Sequence, residues 1–339
     1  MDSTVAIVVL SYNGLEDTRK CLRSLRPALR PYATPILVDN GSTDGTASAV
    51  ATEFPWCRVL RIEKNSGPVG GNNAGMRLAL ELGVEWILLL NNDTIVAESL
   101  LDRLIEAAQA HPDYSVLGPV IKFMDDPDTV MTDGTIFNPP TPTGFFLRKP
   151  VPVTELRPPA VTDVDAVNGC CLMIRAEMAR RIDFFDERFF MYHDETDLCL
   201  RVTAAGGQLG VIDHALVWHK GSATSQSTGK RSVRYFDARN LAYLLRKHHG
   251  ATRHGRSRRT TRLAYFKYCY HWYCDQRERG NDDAAAAVIE GLSDGLSHRT
   301  GPYVKRRRPL GAVIRLAFEL ARRRPGQTVP PTPTRQEAR

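Results

Sequence analysis

No window of the chain is apolar for the roughly 20 residues that a membrane-spanning helix needs. The apolar run Val5–Leu10, behind the polar Met1–Thr4, is too short for a signal-peptide core, so no secretory leader is expected. The seven cysteines (Cys21, Cys57, Cys170, Cys171, Cys199, Cys269 and Cys274) form no C-x-x-C pair. Several sit inside apolar patterns, as reduced core thiols of a cytoplasmic protein do. The G-x-G-x-x-G fingerprint of dinucleotide-binding dehydrogenases is absent. Lysine is scarce, 9 against 36 arginines, which reads as coding bias rather than a site.

What is present is ordinary in bulk and uneven in detail. The 339 residues are 42% hydrophobic and 24% charged, enough for one large domain or two smaller ones. The net charge of +7 divides into −9 over residues 1–229 and +16 over residues 230–339. A basic final third on a mildly acidic body calls for an anionic partner or a charged tail.

Trp86 to Thr94 reads W-I-L-L-L-N-N-D-T. Its apolar part is continuous rather than alternating, as in a parallel strand covered on both faces. Polar residues at the carboxyl end of such a strand lie where open α/β sheets bind ligands. Asp93 therefore faces a ligand, through a metal ion, or Asn91–Asp93 merely turns the chain and caps the next helix. The stretch alone does not separate these readings. Three further apolar runs end in the same way: Val5–Leu10 in S-Y-N-G, Pro35–Val38 in D-N-G-S-T-D-G, and Cys57–Ile62 in N-S-G-P-V-G-G-N-N-A-G. Helical spacing follows each, at Leu15–Leu29, after Thr46, and at Met76–Leu82. A helix over Glu98–Ala110 and a strand over Val116–Ile121 continue the alternation, which predicts a doubly wound, mostly parallel sheet. Four polar, Gly-rich loops at one sheet edge suit a phosphate-bearing ligand.

Residues 122–160 have no period and read as loops. Beyond them, His193-Asp194-Glu195-Thr196-Asp197 leads into a short helix ended by Gly206-Gly207, and Val217-Trp218-His219 closes a strand. Asp197 is placed to orient Arg201 at i+4.

Taken in order, V-V-L-S-Y-N-G, V-D-N-G-S-T-D-G-T, N-S-G-P-V-G-G-N-N-A-G, L-L-L-N-N-D-T, N-G-C-C-L-M-I-R and F-D-E-R-F-F-M-Y-H-D-E-T-D-L-C-L-R resemble the family 2 glycosyltransferases over roughly residues 4–245. The subgroup most resembled is that of bacterial rhamnosyltransferase-like enzymes. The resemblance implies a GT-A fold, a dTDP- or UDP-sugar donor, and transfer with inversion. It implies a cell-envelope glycan or lipid-linked acceptor, with a secondary-metabolite acceptor as the alternative. It places Ser11, Tyr12, Asn13, Asp39, Asn65, Gly70, Gly71, Asn72 and Asn92 around the nucleotide sugar. Asn72 stands where many members carry Arg. Asp93 takes the last position of the family's D-x-D, with Asn91 at the first, and His219 matches a later histidine of the metal or diphosphate site. A hard divalent cation, Mg²⁺ or Mn²⁺, would neutralise the leaving diphosphate there. Where the family writes Glu-Asp this chain has Asp194-Glu195, which makes Glu195 the first choice of general base and Asp194 the second.

The expected organisation is a catalytic domain over 1–229, with a nucleotide-sugar half to about 121 and an acceptor half over about 122–229. A basic helical extension over 230–324 and a disordered tail over 325–339 follow. Basic and aromatic residues mix in 253–274, which points to an anionic membrane surface or to core helices, and to no nucleic acid for want of a motif. The expected location is the cytoplasm, peripheral at the inner face of the membrane. Two other classes compete. A pyrophosphorylase needs an N-terminal Gly-rich loop with Arg and Lys that the first twenty residues lack, and a non-catalytic nucleotide-sugar binder would not need the acid pair.

Overall fold

Val5 to Val9 has no solvent-exposed surface, because helices cover both faces of the sheet to which it belongs. A computed structural model describes residues 4–136, 146–147, 161–221, 229–248 and 258–322. The expected tail over 325–339 lies outside these residues, as do 148–160 and 253–257. The described chain forms two units. The first takes in 4–136, 146–147, 161–187 and 194–221, and the second 188–193, 229–248 and 258–322.

In the first unit, β1 (Val5–Ser11), β2 (Ala33–Asn40), β3 (Arg58–Ile62) and β4 (Trp86–Asn91) are parallel, in spatial order β3-β2-β1-β4. Register brings Ser11 beside Asp39 and Leu10 beside Asn91, so their polar ends share one sheet edge. The sheet then changes character. β11 (Cys171–Arg175) lies between β4 and β6 (Tyr114–Phe123) and is antiparallel to both. β12 (Gln208–His219) runs parallel to β6 and also pairs with the short β5 (Thr94–Val96), setting His219 opposite Thr94. β7 (Val130–Thr132) and β10 (Val161–Asp163) extend this half, and β8 (Thr135–Ile136) pairs with β9 (Phe146–Leu147) in a separate ribbon.

Period-2 strands and period-3.6 helices meet in one core. On one face Ile7, Val9, Leu37, Leu88 and Leu90 pack with Cys21, Leu22 and Leu25 of α1 (Leu15–Ala28) and with α2 (Thr46–Glu53) and α4 (Leu100–Ala110). On the other, α3 (Gly67–Glu81) lies close to β1 and β2. The N-S-G-P-V-G-G-N-N-A-G stretch is thus helical from Gly67, nine residues before the expected start at Met76. The glycines are there for proximity: a Cβ on Gly75 would collide with Val8 and reach Val38 at 2.9 Å, and one on Gly71 would collide with Leu10. Gly75→Ala is therefore expected to destabilise the protein by about 1–3 kcal/mol through overpacking, despite alanine's better helix propensity. Thermal unfolding checks this, and an unchanged or raised midpoint contradicts it.

α5 (Ala176–Arg181) and α6 (Asp194–Ala204) complete the first unit. The second is helical: α7 (Gly229–Lys247), α8 (Arg258–Glu278), α9 (Asp282–Leu296) and α10 (Pro309–Arg322). α7 and α9 approach closely, since a Cβ on Gly291 would collide with the Tyr235 carbonyl oxygen. Of the two readings of the aromatic run, the core one describes these rings. Tyr265, Cys269, Trp272 and Tyr273, one face of α8 at helical spacing, pack with Val288, Ile289, Leu292, Ile314 and Phe318. Burial of these rings removes them from any lipid interface. All seven cysteines are buried and free. Among the described residues no helix is long and apolar enough to cross a membrane.

Candidate functional site

The shared sheet edge is tied together by amides. Asn92 donates from Nδ2 to Ser11 Oγ (3.2 Å), the Gly14 carbonyl (3.2 Å) and Thr18 Oγ1 (2.9 Å), so it joins the end of β4 to the end of β1. The Asn40 carboxamide accepts from the Ser66 N–H and hydroxyl and donates to the Gly67 carbonyl at 2.9 Å. Asn65 Oδ1 accepts the Gly67 N–H at 2.8 Å. Asn13, at φ 48°, receives no help from glycine but is held at both ends: its N–H donates to Ser42 Oγ and its Oδ1 accepts the Thr43 N–H. Asp44 accepts from the Leu15 and Thr46 N–H groups and the Thr46 hydroxyl, locking the loop onto α1 and the start of α2. Its burial works against the charge, but these donors outweigh it and hold the carboxyl below its usual range. Of the residues expected at the nucleotide sugar, Asn13, Asn65 and Asn92 therefore carry scaffold bonds, and Gly70 and Gly71 stand in the first two turns of α3.

Asp39 is 1% exposed. Its Oδ1 accepts the Ser42 N–H at 3.1 Å, and its Oδ2 lies 3.9 Å from Arg61 Nε. It lines a polar recess of about 180 Å³ with Ser42, Thr43, Thr46 and Arg61. Tyr12 is 47% exposed at the same strand end, while Asn72 is nearly buried in α3.

Asp93 follows β4. His219, from the far end of β12, brings Nε2 to 3.1 Å from Asp93 Oδ1, and both side chains are nearly buried. The Lys220 N–H donates to the Asp93 carbonyl, fixing the two strand ends to each other. The His219 Nδ1 is buried without a hydrogen-bond partner among the described residues. Cys170 lies beside this end of β4, its carbonyl accepting the Asn91 N–H at 2.9 Å. Burial pushes its thiol well above its usual range, with the charges of Cys171, Asp93 and Glu195 adding to the effect. One buried thiol thus senses both carboxylates. Gly169 makes the approach possible, because a Cβ there would meet Glu195 Cβ at 3.3 Å.

Asp194 and Glu195 open α6, whose N-terminal dipole favours ionised acids. Asp197, fully buried, pairs with Arg201 Nε at 2.8 Å, as its i+4 spacing predicts. The preceding segment is strained: Phe190, Tyr192 and His193 have φ of 66°, 66° and 63°. In the second unit Asn240 Nδ2 lies within reach of the carbonyls of Phe189, Met191 and Tyr192, at 3.0, 2.7 and 2.9 Å. Arg239 donates to the Phe189 carbonyl at 2.7 Å and to that of Gly301. Both side chains are 1% exposed. Neither residue was singled out from the sequence, where Arg-Asn within a basic helix has no distinguishing signal. Asn40, Thr18 and Gly169 were missed for the same reason.

Residues 6–180 match the family model described as Glycosyl transferase family 2. The chain belongs to the family 2 glycosyltransferases. It is 27% identical over 275 residues, 74% of this chain and 87% of the relative, to an N-acetylglucosaminyl-diphospho-decaprenol L-rhamnosyltransferase of Mycobacterium tuberculosis. It is 25% identical over 263 residues, 74% of this chain and 82% of the relative, to the dTDP-rhamnosyl transferase RfbF of Shigella flexneri. In fold the glycosyltransferase is similar to S. aureus TarS 1–349, with a TM-score of 0.54, 15% identity and coverage of 94% and 88%. The mannosyltransferase PcManGT from Pyrobaculum calidifontis, solved with GDP-Man and Mn²⁺, gives 0.52, 17%, 96% and 82%. Neighbours of this kind share the GT-A fold, and the sheet and flanking helices of this glycosyltransferase are of that class. The matched segment holds every expected nucleotide-sugar residue and Asp93, whereas Asp194, Glu195 and His219 lie beyond it.

Proposed function

We propose that this glycosyltransferase moves a sugar, a deoxyhexose such as rhamnose, from a dTDP- or UDP-sugar to a hydroxyl of a lipid-linked or glycan acceptor, with inversion. The observation that carries the reading is that Asp93–His219 and Glu195 both lie by the Gly169–Cys170 segment at the carboxyl edge of the sheet. An inverting displacement needs charge stabilisation at the leaving diphosphate and a base on the opposite side of the reacting carbon. The names of the relatives support the sugar and the lipid-linked acceptor.

Asp39 supplies a buried carboxylate acceptor for the N3–H that uracil and thymine both present. The first turn of α3 presents backbone N–H groups suited to phosphate oxygens. Glu195 takes the proton of the acceptor hydroxyl as it attacks.

The donor set fits a divalent cation. Asp93 Oδ1 and His219 Nε2 are 3.1 Å apart. That is close to the edge of an octahedron with bonds of about 2.1 Å, the value for a small divalent ion. Among the described residues no group of three His, Cys, Asp or Glu side chains is placed for a metal, so the donor's own phosphates would fill the shell. When bound, the ion neutralises the charge that develops on the diphosphate. Asp93→Asn is expected to lower turnover by about 10²-fold or more. It is also expected to weaken Mn²⁺ binding in the presence of dTDP, read by calorimetry. Full activity in excess chelator would remove the ion from the mechanism.

The donor is tested by a thermal-shift screen with Mn²⁺ against dTDP-rhamnose, UDP-sugars and GDP-mannose. A ligand at a hundred times its Kd stabilises by about 2.7 kcal/mol, a shift of several degrees. Stabilisation by dTDP-rhamnose is the expected result. A shift with GDP-mannose alone overturns the donor assignment.

A further inference from the structure

Of the nine large hydrophobic side chains exposed among the described residues, six fall between 303 and 320: Tyr303, Val304, Leu310, Val313, Leu316 and Leu320. The cause is the three-sided α10. One side, Gly311, Ile314 and Phe318, is buried on the helical core. A second, Arg315, Glu319 and Arg322, is charged. The third carries Val313, Leu316 and Leu320 at 65%, 63% and 56% exposure, spaced by three and four residues into one stripe. A helix needs one apolar face to dock on its own core. The second apolar face is surplus to folding, and contiguous exposed patches of this kind mark contact sites.

Just before the helix the rim of the stripe is basic: Lys305, Arg306 and Arg307 are exposed there. A groove of about 580 Å³ alongside is lined by Arg306, Arg308 and Arg315, with Glu290 and Glu319. Arg308 is 6% exposed, held at 2.9 Å by the buried Asp294, and its Nε has no hydrogen-bond partner among the described residues. We propose that α10 is a membrane-docking helix: the Val313–Leu316–Leu320 stripe enters the acyl boundary of an anionic phospholipid surface, and the exposed Lys305, Arg306 and Arg307 hold headgroup phosphates. An apolar face with a cationic rim is the pattern that binds anionic leaflets. A second copy is disfavoured as the occupant, because symmetric pairing would bring the two cationic rims together. The assignment is independent of the acceptor proposed above, since it concerns the surface and not the reaction.

The test is co-sedimentation of the full chain with phosphatidylcholine vesicles that contain or lack phosphatidylglycerol. Binding is expected only with the anionic lipid, falling as salt screens the charges. V313D/L316D/L320D is expected to weaken it at least about tenfold with unchanged melting temperature, since all three side chains are on the surface. K305Q/R307Q is expected to weaken it without abolishing the apolar contribution. Equal binding by the triple variant, or no binding of the wild type to either vesicle, overturns the proposal. So does a wild-type dimer by light scattering that the triple variant dissolves, which would assign the stripe to a second copy.

Discussion

Glu195→Gln is expected to lower kcat by ~10²–10⁴-fold, the usual contribution of a positioned general base, while leaving donor affinity unchanged. The amide matches the carboxylate in shape, so contact with Gly169 and the start of α6 persist, but it cannot accept the hydroxyl proton. Asp194→Asn serves as the second arm. Both acids are in the first turn of α6, yet it is Glu195 that packs on Gly169 and adds to the field at Cys170, whose carbonyl accepts the Asn91 N–H beside Asp93. Single-turnover kinetics together with dTDP binding separate chemistry from affinity. Turnover that survives in both variants would place the base elsewhere.

The second large effect is expected in the helical unit. Asn240→Ala removes the one amide that meets three carbonyls in the strained segment before α6. The Phe189 carbonyl keeps Arg239, but those of Met191 and Tyr192 lose this donor; each buried carbonyl so deprived costs about 1–3 kcal/mol, and the two are not independent, so a net loss of about 2–4 kcal/mol is expected. Phe190, Tyr192 and His193 would then be free to leave positive φ. Asn240→Asp sharpens the test: it keeps the shape but turns a carboxylate toward carbonyl oxygens, so it should be worse than alanine. A variant Asn240→Asp with wild-type melting temperature contradicts this role.

The parallel half of the sheet was legible because its physics is local. A strand covered on both faces must be a continuous apolar run, and Val5–Val9 and Ile87–Leu90 are such runs, each ending in polar residues at the edge where the site lies. The start of α3 was not legible, because glycines are read as loop formers. Here Gly71 and Gly75 are spaces for Leu10 and Val8, a requirement set by residues some sixty positions away. The antiparallel direction of β11 could not be read either, since an apolar five-residue strand carries no mark of its partner's direction. The fate of Tyr265 and Trp272 turned on packing: their spacing is that of a buried helix face, while composition alone pointed to a lipid surface. His219 came from resemblance alone, and the fold sets it 3.1 Å from Asp93.

The position of β11 has a consequence for synthesis on the ribosome. Leu88 in β4 pairs with Met173, 85 residues later, and Leu117 in β6 pairs with the same residue on its other side. A nascent chain that has emerged only through β6 therefore leaves one edge of β4 and both edges of β6 without their partners, β11 and β12. Such edges recruit other chains. The first half of the catalytic unit is thus not a free-standing folding module, although it contains Asp39 and Asp93. Translation must pass residue 219 before the sheet can close, so chains truncated short of that point are expected to aggregate or be degraded.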